Sequence, residues 1–311
     1  MRSVLADEGE WPVTAGPTSG KPRFQVCGGG HLDRHLWLQS DPVVGRTNAA
    51  RQTISTGGVA ANIASHLAAY GGEVRFVGVQ PADEAPAMAA RLRATGIDAA
   101  ILPLDGEVPG YSAVMGPDGD LLIGAAAMSL YDDVTPEIIT PHLDPALPLV
   151  MDANFPEAAL RAMVEAGEAG RTLFAAGTSA GKVERLRACL PGLHALVLNR
   201  AEAACLTGHA DAPVDMLARH LASGLAESGV VLVSDGGGEA ALATRTDLAR
   251  LTPPALKVVN VNGAGDAMAA SLFWGLMTDP GLAVPTRLQT ALAAGAAFAA
   301  GLPLPALAEP S

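Results

Sequence analysis

In the stretch Lys257-Val258-Val259-Asn260-Val261-Asn262-Gly263-Ala264-Gly265-Asp266, a β-branched segment runs into a Gly-Ala-Gly turn, and Asp266 stands where an alanine-rich helix begins. Backbone N–H groups converge at such a turn and the helix dipole adds positive potential, so an anion site lies beside a carboxylate. That pairing suits phosphoryl transfer. The N–H groups of Gly263, Ala264 and Gly265 would hold the oxygens of a moving phosphoryl group, and Asp266 would take a proton from an attacking alcohol. The plainer role is a simple turn whose carboxylate complements the helix dipole, an effect of about 0.3–1 kcal/mol.

A turn of this kind needs a scaffold, and the rest of the chain reads as α/β. Strand-like segments are expected at 24–27, 74–79, 147–151, 173–176, 195–198, 230–234, 240–243 and 257–261. Helical segments are expected at 59–70, 85–95 (closed by Gly96), 156–166, 183–189, 201–206 and 214–227, with a further helix opening at Asp266. Alternation of this kind implies a mainly parallel sheet with helices on both faces, a three-layer α/β/α arrangement. Two stretches, 36–53 and 99–127, break the rhythm with short strand-like pieces. In the second, Pro117-Asp118-Gly119-Asp120 makes a hairpin turn between residues 111–115 and 121–123. Together they are expected to form a small β-sheet lid over the strand ends, whose exposed apolar face could join two copies as a homodimer. Residues 1–23, with three acids and three prolines, read as a flexible tail without a signal-peptide core, and 24–311 as one domain.

Composition narrows the partners. The 311 residues are 49% hydrophobic and 17% charged, with a formal net charge of -12. That balance argues against a nucleic-acid or anionic-membrane partner, and no apolar run is long enough to span a bilayer. An anionic ligand would need a locally positive site, which the Gly-Ala-Gly turn offers. Cys27, Cys189 and Cys205 lie in apolar contexts and read as core thiols of a cytoplasmic protein.

Some near-matches to other motifs fail. Gly28 to Asp33 follows a strand but lacks the last glycine of a dinucleotide fingerprint. Ala176-Gly177-Thr178-Ser179-Ala180-Gly181-Lys182-Val183 lacks the first glycine and final hydroxyl of a P-loop, although Lys182 could reach a phosphate. His31, Asp33 and His35 suggest metal ligands, but in an extended segment their side chains are expected to diverge.

Two motifs, Gly57-Gly58-Val59-Ala60-Ala61-Asn62-Ile63-Ala64 and Asn262-Gly263-Ala264-Gly265-Asp266, in this order and separation, resemble those of the ribokinase-like, or PfkB-type, family of carbohydrate and nucleoside kinases. Within it the chain is most similar to pseudouridine kinases. The likeness lies in 57–67, in Tyr111 to Val114 with Asp118 to Leu121 and Met128 to Asp132, in Met151 to Pro156, and in Leu198 to Ala203 with Leu206 to Gly208. The resemblance implies an ATP-dependent, magnesium-requiring phosphotransferase acting on the 5′-hydroxyl of a ribonucleoside, with room for a monovalent cation such as K+.

By the same resemblance Asp266 is the catalytic base and Gly263, Ala264 and Gly265 the anion hole. Asp33, Gly57, Gly58 and Asn62 match sugar-binding positions. Asn199 and Glu202 match an element that orders magnesium and the nucleotide phosphates, Glu202 through water. Ser234, Gly236 and Gly238, with Asn262, match the ATP site. Plainer roles exist too: Asp33 capping a turn, Asn62 on a helix surface, Asn199 capping a helix, Glu202 as a first-turn acid, and 236–238 as a hairpin loop. Two departures stand out. Gln80-Pro81-Ala82-Asp83-Glu84-Ala85-Pro86 replaces a usual Gly-Asp element that often borders the substrate, and Asn262 replaces a usual threonine.

Overall fold

Strands such as Leu149–Asp152 and Val230–Ser234, apolar except at their last residue, are buried along their whole length, as strands covered on both faces must be. The computed structural model describes residues 20–259 and 262–307. In chain order the strands are β1 (Arg23–Cys27), β2 (His31–Leu38), β3 (Ala50–Gly57), β4 (Glu73–Gln80), β5 (Asp98–Pro103), β6 (Gly110–Met115), β7 (Leu121–Ala127), β8 (Leu149–Asp152), β9 (Leu173–Ala176), β10 (Ala195–Asn199), β11 (Val230–Ser234), β12 (Ala240–Ala243) and β13 (Leu248–Leu251). The helices are α1 (Val59–Ala69), α2 (Ala85–Arg93), α3 (Pro136–Ile139), α4 (Glu157–Glu165), α5 (Arg200–Thr207), α6 (Val214–Gly224), α7 (Ala264–Thr278) and α8 (Val284–Ala299).

Nine strands form the large sheet in the order β13-β12-β11-β10-β9-β8-β1-β4-β5. All neighbours are parallel except at the β11-β12-β13 edge. Alternate side chains divide between two cores. Phe24, Val26 and Phe76 pack with α1, α2, α7 and α8, while Cys27, Val77 and Met151 pack with α4, α5 and α6 on the other face. The second sheet, β3-β2-β6-β7, has four strands, two of them joined by the hairpin in which Gly119 takes φ 93°.

Several boundaries differ from those expected. The small sheet begins at His31 and ends its first hairpin at Gly57, well outside 36–53. Residues 99–103, expected in the small sheet, instead belong to β5 and pair in parallel with β4 as the edge of the large one. The short α2 crossover after β4 returns the chain to the same sheet, which is the usual outcome of a βαβ unit. No strand forms over 257–259; the ladder is completed by β13 and stops at Leu251, because Pro253 and Pro254 offer no N–H donors. Residues 260 and 261 lie outside the described residues, as does most of the expected 1–23 tail, although Arg23 already pairs with Glu73. The 183–189 helix is a 3-10 segment, Val183–Gly192, containing Pro191. The helix expected over 214–227 ends at Gly224.

Candidate active site

Gly263 adopts φ 94° and starts α7; Gly265 faces open space. A Cβ on Gly263 would lie 2.9 Å from Phe298 Cε1, so glycine answers both the left-handed backbone and the crowding from α8. The helix proper begins as Ala267 N–H donates to Gly263 O at 3.0 Å. The N–H groups before that point have no partner within the helix, which is the electropositive end an anion seeks.

Asp266 sits in this first turn and is only 9% exposed. Its Oδ2 accepts from Asn62 Nδ2 at 2.8 Å. Burial pushes the carboxyl up to about 7; the Asn62 hydrogen bond opposes that, while the negative fields of Asp152, Glu202 and Asp33 reinforce it. Asn62, expected to meet the sugar from α1, thus gives its amide nitrogen to Asp266.

Asp33 lies on β2, directly opposite Ser55 of β3. Its carboxylate rests against Gly57, where a Cβ would come within 2.3 Å of Cγ and both oxygens. Gly58 (φ 98°) leads into α1, and a Cβ there would strike Gly29 O at 2.4 Å. Both glycines are thus fixed by close approach, one of a side chain and one of the backbone. His31, Asp33 and His35 share one face of β2, since alternate residues of a strand do, and do not diverge as expected. His31 Nε2 lies 3.3 Å from Asp33 Oδ1, while His35 turns to Trp37 and Tyr111. Among the described residues no group of three or more His, Cys, Asp or Glu is arranged to hold a metal ion.

Asp152, which sequence reasoning did not single out, is fully buried at the end of β8. Its oxygens accept from Gly29 N and Ala60 N (both 3.1 Å), from Asn154 N (2.9 Å) and from Asn154 Nδ2 (2.8 Å). It ties the turn after β1 to the start of α1. Beside it, Lys182 Nζ donates to Asn154 Oδ1 at 3.0 Å and Arg185 bridges Asn154 O and Asp132. Burial lowers the Lys182 pKa, with Arg185 adding to the effect. Gln80, from the departing loop, is buried and donates to Gly30 O at 2.7 Å.

Asn199 and Glu202 form a capping box at the start of α5: Glu202 N–H donates to Asn199 Oδ1 and Asn199 N–H to Glu202 Oε2, both at 2.9 Å. Burial raises the Glu202 pKa, opposed by hydrogen bonding from the backbone and side chain of Asn199. Gly177 passes so close that a Cβ there would meet Glu202 Oε2 at 2.2 Å. Ser234 pairs with Asn199 across β10-β11. Gly236 (φ 55°) and Gly238 belong to the β11-β12 hairpin turn, closed by Gly238 N–H donating to Asp235 O at 2.8 Å, and Asp235 lies 3.8 Å from Arg200. Asn262 is exposed immediately before Gly263.

Residues 32–301 match the pfkB family of carbohydrate kinases, and the chain belongs to it. The chain is a kinase, a phosphotransferase with an alcohol acceptor. Its large, mostly parallel sheet with a smaller second sheet is the ribokinase-like α/β fold that the two motifs implied. It is 30% identical over 278 residues to 1-phosphofructokinase of Rhodobacter capsulatus (84% of this chain, 85% of that one). It is 27% identical over 235 residues to pseudouridine kinase of Escherichia coli strain K12 (73% and 74%). The structure of a carbohydrate kinase from Agrobacterium tumefaciens superposes with a TM-score of 0.75 at 29% identity, covering 88% of this chain and 90% of that one. No helix among the described residues is long and apolar enough to cross a membrane.

Proposed function

We propose that the chain transfers the terminal phosphoryl group of ATP to the 5′-hydroxyl of a ribonucleoside, with pseudouridine as the favoured acceptor. The single observation that carries the nucleoside reading is a row of rings on the Asp33 face of the small sheet. His35 stacks on Trp37 with centroids 6.3 Å apart, Tyr111 meets His35 edge-on at 6.5 Å, and Arg51 caps the Trp37 ring at 5.7 Å. From Asp33 to Trp37 this face extends about 13 Å. That is room for a ribose at the Asp33 end and a heterocycle against the rings. A sugar alone would leave the aromatic row unused.

In this reading Asp33 accepts hydrogen bonds from two ribose hydroxyls, and Gly57 and Gly58 let the sugar approach the backbone. Asp266, held by Asn62, takes the proton from the attacking hydroxyl, and the N–H groups of Gly263, Ala264 and Gly265 hold the charge that develops on the transferred group. Glu202, steadied by Asn199, offers a hard oxygen suited to water-bridged magnesium, which when bound would neutralise phosphate charge. Ser234, Gly236, Gly238 and Asn262 lie on the strand end and turns proposed to take the nucleotide. The small sheet closes over the cleft and excludes water.

A second reading, a sugar-phosphate kinase, draws on the relative named 1-phosphofructokinase and on the cationic pair Lys182 and Arg185 beside Asn154. Steady-state assays with pseudouridine, uridine, adenosine, ribose and fructose 1-phosphate decide between them. Pseudouridine should exceed ribose in kcat/KM by well over about tenfold. A preference for ribose or the sugar phosphate overturns the nucleoside reading, and a preference for adenosine or uridine overturns pseudouridine alone.

A further inference from the structure

We infer that His31 is a positioning residue that works through Asp33, fixing the acceptor-binding carboxylate to the hinge of the small sheet. The inference rests on the reading of Asp33 as the acceptor site.

His31 is the first residue of β2 and is 7% exposed. Its Nδ1 lies 3.2 Å from the hydroxyl of Tyr131, and that hydroxyl donates to Gly30 O at 3.0 Å. With the Tyr131 proton given to Gly30, the hydroxyl oxygen is left to accept from His31 Nδ1–H. The ring is thereby pinned at one nitrogen; the other, Nε2, lies 3.3 Å from Asp33 Oδ1 and holds it when both nitrogens carry protons and donate. That oxygen is buried and makes no hydrogen bond of its own, so the imidazole is the polar group set against it.

The placement of the three residues gives the arrangement its meaning. Three of the four passages of chain that join the small sheet to the rest of the fold carry these contacts. His31 begins β2, Gly57 ends β3 directly opposite His31, and fully buried Tyr131 follows β7 within four residues. Gly30 O, the anchor of the series, is also held by Gln80 at the end of β4. The series Gly30, Tyr131, His31, Asp33 therefore runs from the rigid sheet, through both sides of the hinge, to the carboxylate. Gly57 lies beneath that carboxylate with no room for a Cβ, so Asp33 has a floor and a lateral stop. A shift of the hinge must move Asp33, and an acceptor that holds Asp33 must in turn set the hinge.

Three variants test this, assayed on the full chain with ATP and whichever alcohol acceptor the wild type uses best. His31→Gln keeps a nitrogen near the place of Nε2, His31→Asn keeps one near Nδ1, and Tyr131→Phe keeps the packing but frees the ring. His31→Asn should raise the acceptor KM by about tenfold or more, with kcat at saturating acceptor and the KM for ATP within about twofold of wild type. His31→Gln should restore most of the loss, and Tyr131→Phe should move the acceptor KM in the same direction as His31→Asn by a smaller factor. An unchanged acceptor KM in His31→Asn overturns the inference. So does an equal loss in the Gln and Asn variants, or a parallel fall in kcat and ATP affinity that marks a general loss of structure. Should His31→Asn not fold, Tyr131→Phe alone decides: an unchanged acceptor KM overturns the inference. Failure of the nucleoside reading would show separately, in the wild-type substrate preference.

Discussion

Asn62 Nδ2 stands 2.8 Å from Asp266 Oδ2, joining two helices across 204 residues of sequence. The bond sets the carboxylate at the mouth of α7 and opposes the burial that would otherwise keep it protonated. A base with its proton affinity brought near neutrality is well matched to abstracting an alcohol proton at physiological pH.

Because Asp266 must be ionised to accept that proton, turnover should rise with pH through about 7. Removing the Asn62 donor leaves burial unopposed, so Asn62→Ala should move the rising limb to higher pH. A kcat profile between about pH 5.5 and 9 checks both. An unmoved limb in Asn62→Ala would separate the profile from Asp266.

Asp266→Asn should retain the fold while lowering kcat by on the order of 10²–10⁴. It should also stabilise the protein at alkaline pH. The folded-state pKa, about 7, lies above the ordinary carboxyl value of 3.8. The carboxyl therefore favours folding most below 3.8, and that contribution is lost as pH rises through 7. Asparagine has no such loss. The gain in Tm over wild type should be larger at pH 8 than at pH 4, and equal Tm differences at the two pH values would contradict the burial of a titrating group there.

Gly57→Ala would put a methyl group into the Asp33 carboxylate. Loss of a hydrogen-bonded acceptor hydroxyl costs about 1–3 kcal/mol, so the acceptor KM should rise by about tenfold or more with little change for ATP. Kinetics with each substrate varied in turn measure the split.

Asp152→Asn replaces an acceptor of four donors by a group with one oxygen and two N–H bonds. In one orientation of the amide Asn154 N–H loses its partner, and in the other Gly29 and Ala60 N–H lose theirs, for about 1–3 kcal/mol per lost donor, and the new N–H groups add repulsion. Urea unfolding should show a marked fall in midpoint; an unchanged midpoint would mean that the turn is held by other contacts.

What can be read from the sequence follows from how local each constraint is. Gly263 and Gly58 need left-handed backbone, and Gly57 a close approach, so glycine at these positions marks the turns within the sequence itself. Asp152 escapes notice because two of its four donors lie 92 and 123 residues away, and the turn that it ties to α1 is far from it in sequence. The bond from Asn62 to Asp266 is equally hidden, because its two ends lie 204 residues apart. Val258 and Val259 look like a strand from their branching alone; the Pro253-Pro254 pair upstream decides otherwise. The start of β2 falls earlier than expected because Asp33-Arg34-His35 sets three polar residues in a row, so no alternation marks the strand before Leu36.

Phe298, near the end of α8, backs Gly263, and Ala299 O receives the N–H of Val259 at 2.7 Å. The turn proposed to bind phosphate is thus braced by a helix that the ribosome delivers after it. During synthesis the large sheet, the small sheet and α7 all emerge before that brace exists. A nascent chain halted short of residue 298 holds every residue of the proposed chemistry and lacks the wall that shapes its anion site. Competence should therefore arrive in a single late step as α8 docks.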